Sequence, residues 1–69
     1  MQEFNSGDSV EWNFTQGKIY GHVVRKLTCD TQIGNHVVRA SYDSPQYLVE
    51  SNYGNVAAHH PDSLKKIGH

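Results

Sequence analysis

An all-β fold is predicted for this chain: a small, strongly bent antiparallel barrel of five short strands. Three observations predict it. Apolar Val10, Trp12 and Phe14 alternate with polar Ser9, Glu11 and Asn13, the period of a strand with one buried face. Turn-forming clusters recur about every eight to twelve residues, and no stretch carries a helical period. A chain of 69 residues with 36% apolar content has room for one small core, because a domain of this size buries only about 60% of its unfolded surface.

Residues 1–6 are polar apart from Met1 and Phe4 and are expected to form a loosely ordered tail. The barrel is expected over residues 7–67, with residues 68–69 as a free end. In the first hairpin, Gly17 supplies the positive φ that a short connection between strands needs. The second strand resumes with Ile19, Val23 and Val24, which places Ile19, Gly21 and Val23 inward. Glycine inside a strand marks a bend or a close approach, and Trp12 is the bulky neighbour expected there.

Arg25-Lys26-Leu27-Thr28 extends the second strand, and residues 29–35 read as a loop ending in a turn. Residues 36–40 form a third strand whose inward face is left ambiguous by the adjacent Val37 and Val38. Ser44, held extended before Pro45, closes a turn. The fourth strand spans residues 46–51, with Tyr47 and Val49 on one face; Asn52-Tyr53-Gly54-Asn55 turns the chain, and residues 56–59 return as its partner. His60-Pro61-Asp62-Ser63-Leu64 reads as one short helical turn capped by Asp62 and Ser63, before a last edge strand at residues 65–67. The predicted core is Val10, Trp12, Ile19, Gly21, Val23, Tyr47, Val49, Val56 and Leu64. Short strands at this spacing favour an SH3-like barrel.

Six Lys or Arg against seven Asp or Glu give a net charge of −1, which supplies no global attraction to nucleic acid or anionic lipid. No apolar run is long enough to span a membrane. The single Cys29 has no internal disulfide partner, and the first residues lack a secretory pattern, so a cytoplasmic setting is expected. A core this small suits a monomer or a weak homodimer.

No metal or cofactor site is predicted. The five histidines lack ligand spacing, and His59 and His60, as strand neighbours, point to opposite faces and read as surface residues. Asp62, Ser63 and His59 or His60 have the residue types of a hydrolase triad, but they crowd one turn with no separate oxyanion element, so no enzyme is predicted. Nothing beside Cys29 would lower its thiol pKa. Tyr20, Tyr42 and Tyr53 fall at an outward strand position or in turns and form the candidate aromatic binding set. Lys18, Arg25, Lys26 and Arg39 form a basic set suited to a nucleic-acid backbone.

Gly7-Asp8-Ser9-Val10-Glu11-Trp12, then Gly17 with Gly21-His22-Val23, then Ser44-Pro45-Gln46-Tyr47-Leu48-Val49-Glu50, then Val56-Ala57-Ala58-His59-His60-Pro61-Asp62-Ser63-Leu64 follow one another in order. Together they resemble the Tudor-like domains named for a hypervirulence-associated protein. Residues 29–42 depart from that family's basic, glycine-rich pattern, and His60 stands where lysine is common. The resemblance implies a Tudor-like or SH3-like barrel and no established activity. The expected function is a non-enzymatic interaction module that binds a protein segment through exposed aromatics or an open sheet edge. The alternative is weak nucleic-acid binding through the basic set.

Overall fold

The computed structural model describes residues 3–15 and 17–67. They form β1 (Ser9–Phe14), β2 (Gly17–Leu27), β3 (Thr31–Ile33), β4 (His36–Val38), β5 (Gln46–Ser51), β6 (Val56–His59), a 3₁₀ turn (Pro61–Ser63) and β7 (Leu64–Lys66). One antiparallel sheet has the order β6-β5-β2-β1-β7, and β3 and β4 pair as a separate ribbon.

This corrects the expected five-stranded barrel in two respects. The predicted loop over residues 29–35 contains β3, which pairs with β4 through Thr31↔Val38 and Ile33↔His36. The sheet also stays open: β6 and β7 are its two edges, with no ladder between them among the described residues. Pro61 has no N–H to continue the β6 pairing, so the chain turns there and crosses to the far edge. The turn is closed by backbone, Ser63 N–H donating to the His60 carbonyl at 2.9 Å. No side chain caps its start, so the capping role expected of Asp62 and Ser63 is not observed.

The core collects on one face of the sheet. Phe4, Val10, Trp12, Val23, Tyr47, Val49 and Leu64 form one buried cluster, with Ile19 and Ala57 packed against it. Register explains the set, since Trp12 pairs with Ile19 on one side and Leu64 on the other, while Val23 pairs with Val49. Gly21 is buried between Val10 of β1 and Ser51 of β5. A Cβ there would collide with the Glu50 carbonyl oxygen and lie 2.8 Å from the Ser51 Cα. The neighbour that demands glycine is therefore the β5 backbone, not the Trp12 side chain expected from the sequence.

Val56 leaves the predicted core: it is 46% exposed. It pairs with Glu50 on the outer face, and Ala57 faces inward beside Val49. Phe4 moves the other way, from an expected loose tail into the core. Its ring meets Tyr47 edge to face at 5.2 Å, and its N–H donates to the Tyr47 hydroxyl at 3.2 Å. The residues after it are tied down too, with Ser6 Oγ donating to the Val24 carbonyl at 2.8 Å and Gly7 N–H to the Val23 carbonyl at 2.7 Å.

A bulge in β2 changes which face its last residues bury. The register passes from Val23↔Val49 to Arg25↔Leu48, leaving Val24 as the extra residue. That reverses the alternation and turns Leu27 to the face opposite Tyr47. Leu27 and Val38 are buried outside the main cluster. Gln46, the partner of Leu27, donates from Nε2 to the Arg39 carbonyl at 2.7 Å and anchors the end of β4 over the sheet.

Candidate functional site

The hairpin joining β5 to β6 sets which backbone groups β6 leaves free. Gly54 N–H donates to the Ser51 carbonyl at 2.9 Å and Ser51 N–H to the Asn55 carbonyl at 2.8 Å. Gly54 supplies the required left-handed conformation, φ 92°. In an antiparallel ladder, hydrogen-bonded pairs alternate with non-bonded ones. Counting from Ser51 and Asn55, the pairs Val49↔Ala57 and Tyr47↔His59 bond across the ladder, while Val56 and Ala58 direct N–H and C=O away from β5. β6 is a sheet edge, so those groups face outward.

Beside that edge lies a groove of about 540 Å³ between the β3–β4 ribbon and β6. Ile33, Val37, Val38, Val56, Ala57 and Ala58 supply its apolar lining, and His36, Arg39 and Gln46 its polar lining. Val37 is 54% exposed, so two valines from different strands present bare apolar surface across one furrow. An edge with free backbone groups beside an apolar furrow can accept an extended chain, whose alternate side chains would enter the groove.

The tyrosines singled out from sequence are not brought together. Asn52 N–H donates to the Tyr20 carbonyl at 2.9 Å, so Tyr20 and the Tyr53 turn share one end of the sheet. Tyr42 lies between Arg39 and Gln46, at the Leu27 end of the long β2. Among the described residues the close aromatic pairs are Phe4 with Tyr47 and Trp12 with His59, so these tyrosines form no cage with one another.

The basic set is scattered and largely engaged. Lys18 bonds Glu11 at 2.9 Å, and that hydrogen bond, with the carboxylate's charge, holds its pKa above the ordinary value. Lys26 lies 3.9 Å from Glu3 and Arg39 3.7 Å from Asp30. Arg25 and Lys26 are strand neighbours opposite Leu48 and Tyr47, so they belong to opposite faces.

Sequence reasoning treated His59 as a surface residue, and the structure corrects this. On β6 it lies opposite the buried Tyr47 and so faces inward. Its ring packs 5.4 Å from the Trp12 ring, and its Nε2 is buried with no hydrogen-bond partner among the described residues. Burial lowers its pKa, and the charge of His60 adds to the effect. The Asp62-Ser63 turn forms no triad: His59 points into the core and His60 is exposed. Among the described residues no three His, Cys, Asp or Glu side chains cluster closely enough to hold a metal.

Sequence reasoning also missed the groove. The adjacent Val37 and Val38 were its one visible signal. No helix of the described residues is long and apolar enough to cross a membrane.

No curated protein and no solved structure matches the chain. A family model does, that of the hypervirulence associated proteins TUDOR domain, over residues 7–64. The match runs from Gly7, just before β1, to the first residue of β7, and so contains β1 to β6, the ribbon and the 3₁₀ turn. With that span matched, and with an all-β fold, the chain belongs to the hypervirulence-associated Tudor-like domain family.

Proposed function

We propose that this domain is a non-enzymatic module that binds an extended protein segment by strand addition at β6. Tudor-like domains are small and generally non-catalytic, and they bind proteins or nucleic acids. The choice of a protein segment rests above all on the phase of the β5–β6 ladder, which leaves Val56 and Ala58 backbone groups free beside an apolar groove. A nucleic-acid backbone fits less well, because the four basic residues singled out form no common face: Lys18 is bonded to Glu11, and Arg25 and Lys26 belong to opposite faces of β2. An exposed free thiol at Cys29 suits a reducing compartment, and we propose a cytoplasmic setting.

Ala58→Pro tests this directly. It removes an outward N–H while leaving the β5 ladder intact, a place where an edge strand tolerates proline. In an amide NMR titration with blocked, valine-rich extended peptides, the Val56–His59 amides should shift in the parent, and the variant should lose this response while staying folded. Equal binding by a folded Ala58→Pro variant would overturn strand addition.

A further inference from the structure

The groove has a charge pattern as well as a shape. Among the described residues no carboxylate lines it, and its charged or titratable members are Arg39 and His36. Gln46 is already engaged, its amide holding the Arg39 backbone at the groove margin. The Arg39 guanidinium remains available: it is 85% exposed and stands 3.7 Å from the exposed Asp30, a long surface pair that a better-placed carboxylate can displace. At the other end stands Val56, whose cross-strand partner Glu50 lies on β5 outside the groove lining and faces His22 at 3.5 Å. The furrow therefore runs from bare valine surface at Val37 and Val56 to a cation at Arg39.

We infer that the segment bound here is acidic and apolar by turns. An aliphatic side chain sits between Val37 and Val56, and a carboxylate at a later alternate position of the same strand reaches Arg39. This deepens the strand-addition reading and rests on it. Backbone pairing with Val56 and Ala58 fixes the segment extended, so every second side chain points into the groove. Only those positions can sense the difference between its two ends. Charge at Arg39 then sets which segment is accepted and in which direction it lies.

Three blocked synthetic octapeptides test this. Each carries valine at its second and fourth positions and threonine or serine between, with Glu, Gln or Lys at the sixth. Amide NMR titration at low salt should move Val56–His59 with all three. The Glu peptide should bind about fivefold more tightly than the Lys peptide, the range of an exposed ion pair. Arg39→Gln, at an exposed position, should keep a dispersed spectrum and remove that preference. Three equal affinities with Val56–His59 still shifting would overturn the charge preference and leave strand addition standing. A titration in which no peptide moves β6 would overturn both. Oligothymidylate shifting Arg39 where the Glu peptide does not would replace the acidic segment with a nucleic-acid backbone.

Discussion

The imidazole of His59, on one edge of the sheet, lies 5.4 Å from the indole of Trp12, ring centre to ring centre and tilted by 40°. Trp12 belongs to β1, which pairs with the opposite edge strand through Leu64. Among the described residues no backbone ladder joins β6 to β7, and this ring pair bridges the inner face instead.

His59 makes stability depend on pH. Burial disfavours its proton in the folded state, so the unfolded chain binds more protons once the pH nears the ordinary value of 6.5. Stability is complete above that value and is lost as the pH falls from it toward the lowered folded-state pKa. Chemical denaturation between pH 7.5 and 5 should show the decline, and His59→Phe, which cannot titrate, should flatten it. An unchanged slope in that variant would show that other groups set the profile.

Trp12→Ala should cost about 3 to 5 kcal/mol, the loss typical of a large buried aromatic. Trp12 touches the core through two ladders and packs on His59, so its loss opens a cavity beside both strands. Urea unfolding followed by circular dichroism measures it, and a change below about 1 kcal/mol would place the indole at the surface.

Gly21→Ala should be as damaging as a core deletion although it adds one methyl. The atoms it would meet belong to the Glu50 and Ser51 backbone, which cannot rotate away. The β2–β5 ladder must part, at about 3 kcal/mol, the upper range of overpacking. Loss of slow-exchanging amides across β2 and β5 is the expected signature.

Phe4→Ala should lower stability by about 3 kcal/mol, whereas Tyr47→Phe should cost about 1 kcal/mol, the worth of one neutral hydrogen bond. The first removes a ring packed on Tyr47; the second removes only the acceptor of the Phe4 N–H. Comparable melting temperatures for the two would mean that the 3–8 segment adds little to the core.

Tyr53→Ala should stay within about 0.5 kcal/mol of the parent, as for an exposed side chain in a turn held by backbone. The turn is maintained by Gly54 and Ser51, not by the phenol. A larger drop in melting temperature would contradict this.

Much of the sheet was legible because its strongest side chains keep time with the backbone. Val10, Trp12 and Val23 alternate cleanly, and Tyr47 and Val49 do so in β5, so both hairpins could be read directly. Val56-Ala57-Ala58-His59 gave no such signal, since two alanines do not mark a face, and the larger valine was assigned inward. The inner side there adjoins the Trp12–His59 contact and takes the small Ala57 instead. Burial of Leu27 follows from one extra residue at Val24, and a bulge leaves no residue-type signature there. The groove is assembled from β4, β6 and the start of β5, which are far apart in the sequence, and so no local pattern announced it. His59 was read as a surface residue because its burial comes from a partner distant in sequence.

The 3₁₀ turn also sets an order of assembly. β1 and β2 can zip from a local hairpin, and β5 and β6 from another, but β7 reaches β1 only after the turn has carried it from the opposite edge. Pairings between distant parts of a chain form late, after their loop-closure entropy has been met. During synthesis, until Leu64 has emerged from the ribosome, Trp12 lacks its cover on that side and the nascent sheet carries an exposed indole. This is the interval in which the domain is most open to misassociation.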